Sequence, residues 1–160
     1  MRVHNPFVTP LFLRGFFVEM KIFVSMKVPR GNAELEQLAM LISDVIQRSG
    51  HEPFLATREI ADGGLSDPKE FMPFVRQHAR TSDLMIVFYH PDLRGGLIEM
   101  GIAYACNVPI WLCHKSEQRV SSSTLGCGDL AIEYASLQDL RDKLLENFTS
   151  RQNAKGLRNL

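Results

Sequence analysis

Short apolar runs alternate with longer amphipathic segments along most of the chain. The runs predict β-strands, and the segments, whose apolar residues recur at intervals of three and four, predict helices. The predicted strands cover Lys21–Met26, Pro53–Thr57, Leu84–Tyr89, Pro109–Cys113 and Leu130–Tyr134. The predicted helices cover Ala33–Arg48, Pro68–Arg80, Leu97–Cys106 and Leu137–Phe148.

Polar residues at the ends of these segments support the predicted helix boundaries. Asn32 stands where a side chain can cap the first helix, and Gly50 follows that helix at the position of a left-handed C-terminal cap. Asp67 precedes Pro68, and proline is favoured at the first helical position. Ser136 lies three residues before Asp139, as in a capped helix start.

The alternation of strands and helices with short connections predicts one α/β fold. It is a doubly wound, open parallel sheet of about five strands with helices on both faces, Rossmann-like or flavodoxin-like. Ligands of such sheets bind outside the carboxyl ends of the strands. The loops after Met26, Tyr89 and Cys113 are therefore the predicted site.

Both ends of the chain differ from the domain between them, which is predicted to span residues 20–149. Residues 1–19 are an apolar leader that Pro10 and Arg14 interrupt, and it is too short to span a bilayer. Two interpretations stay open for it: an upstream extension without fixed structure, with translation starting at Met20, or an extra edge strand. Residues 150–160 are polar and basic, which predicts a flexible tail.

The composition excludes several classes of function. Eighteen basic and eighteen acidic residues cancel within 160 residues, so no overall field would draw the chain to a nucleic acid polymer or a membrane. Cys106, Cys113 and Cys127 lack metal-site spacing, and an odd number of cysteines favours a reducing cytoplasm. The glycine motifs of dinucleotide and NTP sites are absent from the sequence, so no cofactor and no metal are predicted.

Glu99 is the strongest chemical signal in the sequence. It is the only charged residue in GGLIEMGIAYACN, shortly after paired glycines that let a ligand approach the backbone. A carboxylate near a helix start stays ionised at neutral pH and suits a nucleophile in glycosidic cleavage. A second interpretation is that Glu99 only stabilises the helix N-terminus.

The segment SDLMIVFYHPDLRGGLIEMGIAYACNVPIWL resembles the nucleoside 2-deoxyribosyltransferase family and the related deoxynucleoside 5′-monophosphate N-glycosidases. KIFVSMKVPRG resembles the family's first strand and loop, and RVSSSTLG resembles its serine segment. The resemblance implies hydrolysis of the base–sugar bond of a nucleoside or nucleoside 5′-monophosphate, with deoxyribosyl transfer as a further outcome. It also implies a homodimer or higher homo-oligomer.

The resemblance also implies roles for individual residues. Glu99 falls on the family's nucleophile, and Asp92 stands close to a position that reaches the sugar. The implied substrate-binding residues of the first loop, the paired glycines and the serine segment are Ser25, Lys27, Arg30, Gly31, Gly95, Gly96 and Ser122.

The sequence departs from the family pattern at two positions. Val75 stands where the family has a helix aspartate, and Leu93 stands where it has a serine or an aspartate. Valine can neither accept a hydrogen bond from a sugar nor carry a proton. The alternative is therefore a catalytically silent nucleotide-binding module on the same fold, and a phosphoribohydrolase of modified-base nucleotides is a third interpretation.

Overall fold

The computed structural model describes residues 18–28 and 30–157, with side chains to residue 154. Within this part of the chain, five parallel strands form one sheet in the order β2-β1-β3-β4-β5. The strands are β1 (Lys21–Ser25), β2 (Glu52–Leu55), β3 (Leu84–Phe88), β4 (Ile110–Lys115) and β5 (Leu130–Tyr134). The predicted doubly wound α/β fold is confirmed.

Six helices connect or follow these strands in the described residues. They are α1 (Ala33–Arg48), α2 (Ala56–Asp62), α3 (Pro68–Thr81), α4 (Gly95–Ala105), α5 (Ser122–Cys127) and α6 (Leu137–Leu157). Buried residues of α1 and α6 pack on one face of the sheet, and those of α2, α3 and α4 pack on the other. The sheet is thus covered on both faces.

The predicted caps form as hydrogen bonds. The Asn32 side chain accepts from the backbone N–H groups of Glu34 and Leu35, at 3.1 and 3.2 Å. Asp67 Oδ1 accepts from the Lys69 N–H at 2.9 Å, and Ser136 Oγ accepts from the Asp139 N–H at 3.1 Å. These caps satisfy donors that a helix start leaves free, so local sequence sets where these helices begin.

Three predicted boundaries differ from the structure. The segment after Leu55, predicted as strand and loop, forms the short helix α2, and the serine segment forms α5. The last helix continues beyond Phe148 to Leu157, through most of the predicted flexible tail. Residues 1–17 of the predicted leader lie outside the described residues, so both interpretations of the leader stay predictions, while Val18 and Glu19 are exposed and irregular.

The strand order places a crevice between β1 and β3. The chain leaves β1 toward α1 on one face and leaves β3 toward α4 on the opposite face. At such a switch point the two connections diverge and leave room at the carboxyl edge of the sheet. Ser25 ends β1 at this point, and α4 begins after β3 beside it.

Candidate active site

Glu99 contacts Ser25 across the crevice. Ser25 is fully buried at the end of β1, and its hydroxyl donates a hydrogen bond to Glu99 Oε2. Phe23, two residues earlier in β1, packs on the face of the sheet that α4 covers, and side chains alternate along a strand. Ser25 therefore points toward α4, where the carboxyl group of Glu99 lies.

Burial and the Ser25 hydrogen bond act in opposite directions on Glu99. Burial raises the pKa of the Glu99 carboxyl above its usual range, and the Ser25 hydroxyl lowers it by stabilising the ionised form. Burial is the larger of the two effects. The sequence predicted that the helix N-terminus keeps Glu99 ionised, but Glu99 is the fifth residue of α4, beyond the first turn where that effect acts.

We expect the free energy of unfolding of Glu99→Gln, taken relative to that of wild type at the same pH, to be higher at pH 8 than at pH 4. Below the pKa that Glu99 has in the unfolded chain, its carboxyl group is protonated in both the folded and the unfolded state. Its burial then costs wild type no stability through ionisation. As pH rises through the raised pKa of the folded state, wild type loses stability because it must bury a charge. Urea unfolding of both proteins at each pH measures the difference. An equal difference at both pH values would contradict it.

Gly96 lets the Ser25–Glu99 pair form. A Cβ atom added at Gly96 would lie 2.7 Å from Ser25 Oγ and 2.6 Å from two side-chain carbons of Leu93. Leu93 is buried in the core on the α4 face of the sheet, so it supplies no polar group to the Ser25–Glu99 pair. Gly95, one residue earlier, is open, since a Cβ there would meet nothing within 4 Å.

A second pair lies at the mouth of the crevice. Lys27 Nζ donates to Asp92 Oδ2 at 3.0 Å and joins the loop after β1 to the loop after β3. Lys27 lowers the pKa of the Asp92 carboxyl, which is exposed. His90 Nδ1 accepts from the Asp92 N–H at 3.1 Å, so His90 orders this loop. Lys27 thus forms its ion pair with Asp92 and not with Glu99.

The remaining predicted site residues lie outside these two pairs. Arg30 and Gly31 are exposed in the turn before α1. Ser122 is exposed at the first position of α5, which packs against α4. Among the described residues, none of these three hydrogen-bonds to Glu99, so their contact with a substrate stays a prediction.

Val75 contributes no polar group to the site. Its side chain is buried in the core between the sheet and α3. His78, one turn further along α3, hydrogen-bonds to Lys21 Nζ at 3.0 Å, where β1 begins. It therefore lies at the edge opposite to Glu99 and cannot replace the missing aspartate.

The described residues contain neither a cluster of metal-binding side chains nor a helix that could span a membrane. No group of three or more His, Cys, Asp and Glu side chains within residues 18–28 and 30–154 could hold a metal ion. No helix in the described part of the chain is long and apolar enough to cross a membrane.

Solved structures share this fold, although no family model and no curated protein matches the sequence. The CMP N-glycosidase BcmB of Clostridium botulinum matches with a TM-score of 0.58 and 21% identity, over 78% of this chain and 96% of that one. The 2-deoxyribosyltransferase of Bacillus psychrosaccharolyticus matches with a TM-score of 0.56 and 18% identity, over 76% and 90%. A conserved protein of Enterococcus faecalis V583 matches with a TM-score of 0.62 and 17% identity, over 81% and 99%. The predicted likeness in fold to such enzymes is thereby confirmed.

Proposed function

We propose that the protein is an N-glycosidase that hydrolyses the base–sugar bond of a nucleoside or nucleoside 5′-monophosphate. One observation carries the proposal: the partly buried carboxyl group of Glu99 is held by Ser25 at the switch point of the sheet. Structures with this fold include an N-glycosidase and a deoxyribosyltransferase, which supports the same chemistry here.

Glu99 acts as the nucleophile in two steps. Its Oε atom bonds to C1′ of the sugar while the C1′–N bond breaks, and the electron pair leaves with the base, which takes up a proton. Water then attacks C1′, gives up a proton and releases the sugar and the Glu99 carboxylate. Ser25 orients the attacking carboxylate, and partial burial leaves it little water to shed.

The loops around Glu99 offer groups for the rest of the substrate. Lys27 and Arg30 follow β1, and their charges suit a 5′-phosphate, Arg30 through its planar fork and Lys27 as a point charge. Ser122 offers a hydroxyl to the same group, and the backbone at Gly95 and Gly31 is open for close approach. Asp92 would contact the sugar once its ion pair with Lys27 breaks.

The second candidate is a nucleotide-binding module without catalysis. The observation that favours it is Val75, which packs in the core where the family has a carboxylate. Such a protein would use the same crevice to bind a ligand and would leave the base–sugar bond intact.

Base release and thermal melting, measured together, distinguish the two functions. The panel contains nucleosides, deoxynucleosides and their 5′-monophosphates, each followed by chromatography for the free base. Comparing ribose with deoxyribose separates a phosphoribohydrolase from a deoxynucleotide enzyme. An N-glycosidase releases base from at least one compound. Ligands that raise the melting temperature without releasing base would support the silent module instead.

We also propose that two copies associate through α4. The exposed face of this helix carries Leu97, Ile98 and Tyr104, which are 43%, 56% and 59% exposed. Gly101 lies among them with open space around it, so another helix can approach closely. Because Glu99 is the only charge in α4 and turns inward, two such faces meet without like charges. The cytoplasm is the proposed location, since it keeps the three thiols reduced.

A lysine at Ile98 is expected to separate the copies. Ile98→Lys places a charge at the centre of the proposed interface, and the dissociation constant should rise by about 30-fold or more. Sedimentation velocity over a range of concentrations measures it. Met40→Lys is the matched control, because Met40 is 61% exposed on α1, on the other face of the sheet. A monomeric wild type, or equal effects of both lysines, would contradict the prediction.

A further inference from the structure

An ion pair lies across the mouth of the crevice that holds Glu99. Lys27 Nζ is 3.0 Å from Asp92 Oδ2, and the pair joins the loop after β1 to the loop after β3. The two side chains are 36% and 69% exposed, so a ligand that enters the crevice can approach both. The groups that the proposed function assigns to phosphate and to sugar therefore neutralise each other in this structure.

The backbone that carries Asp92 is held independently of Lys27. His90 Nδ1 accepts from the Asp92 N–H at 3.1 Å, and the His90 carbonyl accepts from the Leu93 N–H at 2.9 Å. Leu93 is buried, which anchors the end of this turn. Loss of the Lys27 contact would therefore free the Asp92 side chain and leave the loop in place.

The charges of the pair allow Lys27 to change its partner. Lys27 lowers the pKa of the Asp92 carboxyl, first through its hydrogen bond and then through its charge, so this carboxyl is ionised at neutral pH. Water screens an exposed ion pair, which therefore contributes little to stability. A dianion attracts a lysine more strongly than a carboxylate of one charge does at the same distance. A ligand with a dianionic group can thus displace Asp92 from Lys27.

Another ion pair at the same edge of the sheet provides a matched comparison. Lys115 Nζ contacts Glu34 Oε1 and joins β4 to α1. Lys115 is 35% exposed, which is close to the value for Lys27. Helix α1 packs on the face of the sheet away from α4, and the proposed function uses neither residue. Removing Lys115 therefore removes an equivalent charge without touching the Lys27–Asp92 pair.

We propose that the Lys27–Asp92 pair is a latch that a dianion opens. The dianion binds Lys27, and the released Asp92 carboxylate turns to a hydroxyl of the sugar, so the binding of phosphate and the binding of sugar are coupled. This coupling rests on the proposed function, which assigns the two groups to one substrate. It also has a consequence of its own: a dianion opens the latch even when it is not attached to the sugar.

Phosphite and a nucleoside without a phosphate, added as separate molecules, test this coupling. Deoxycytidine and deoxyadenosine are titrated by calorimetry into full-length Glu99→Gln, which removes turnover, at pH 8 with and without phosphite. Phosphite should tighten the binding of nucleoside about fivefold, the most that the exchange of one exposed ion pair provides. Chloride at the same ionic strength controls for the screening of charge and should have no such effect.

Three further substitutions, each added to Glu99→Gln, separate the latch from a general loss of charge. Lys27→Gln leaves Asp92 without its ion pair, so nucleoside should bind about as tightly as it does to the parent protein with phosphite, and phosphite should add nothing. Asp92→Asn should also abolish the phosphite effect, because it has no carboxylate to release. Lys115→Gln should keep the full phosphite effect.

Three results would overturn the latch. They are equal affinity for both nucleosides with and without phosphite, a phosphite effect that survives Lys27→Gln, and a phosphite effect that Lys115→Gln abolishes as well. Thermal melting of each variant shows that it is folded. Base release by the wild type is measured separately: release without a phosphite effect refutes the latch and leaves the proposed function intact, whereas a phosphite effect without release does the reverse.

Discussion

Glu99→Gln is expected to reduce base release by about 10³-fold or more, a rise in the activation barrier of about 4 kcal/mol. Glutamine keeps the size of the side chain and can still accept the Ser25 hydrogen bond, but its neutral amide cannot form the bond to C1′. Initial rates of base release on the best substrate of the panel measure the effect.

Substrate binding, measured separately from the rate of base release, is the control for this variant. Because the fold and the Ser25 contact persist, substrate should raise the melting temperature of Glu99→Gln about as much as that of wild type. A variant that retains more than about a tenth of the wild-type rate would show that Glu99 is not the nucleophile.

Gly96→Ala is expected to impair both folding and catalysis, whereas Gly95→Ala should leave the stability of the fold unchanged. The new Cβ at Gly96 would press on Ser25 Oγ and on Leu93, both of which are buried, and overpacking of this kind costs about 1–3 kcal/mol. Displacing Ser25 removes the hydrogen bond that orients Glu99, so the rate should fall in the molecules that remain folded.

The two alanines are a matched pair, since both lie in the first turn of α4 and add the same methyl group. Urea unfolding gives the change in stability, and base release at a temperature where both variants are fully folded gives the change in rate. Equal effects of the two alanines on the free energy of unfolding would show that the close packing at Gly96 does not hold the site.

The fold was predictable because most of its signals are local in the sequence. Leu84–Phe88 is apolar at every position, and β3 is the fully buried central strand of the sheet. Asn32, Asp67 and Ser136 mark helix starts through their own side chains, so the positions of α1, α3 and α6 needed no knowledge of the fold.

The elements that were missed lack such signals. Leu55 precedes α2 and offers no side-chain cap, and the seven residues of α2 are too few to show helical periodicity. In α6 the polar residues after Ser150 suggested an end, but a solvent-facing helix accepts them, and nothing before Leu157 stops it. Polarity alone did not mark a helix end.

The candidate site was predictable in part. Glu99 and the paired glycines before it were identified because Glu99 is the one charge in an apolar segment and glycines let a ligand approach the backbone, and the resemblance added Ser25. The contact between Ser25 and Glu99 could not be predicted, because it spans 74 positions and depends on β1 lying beside β3. The pairing of Lys27 with Asp92 has the same origin.

A crystal structure of Glu99→Gln with a bound nucleoside 5′-monophosphate tests the central claim most directly. The account predicts that C1′ of the sugar lies about 3–3.5 Å from the side-chain oxygen of residue 99, the distance from which a bond can form. A ligand bound with C1′ turned away from residue 99, or a crevice that stays closed to a saturating ligand, would contradict it.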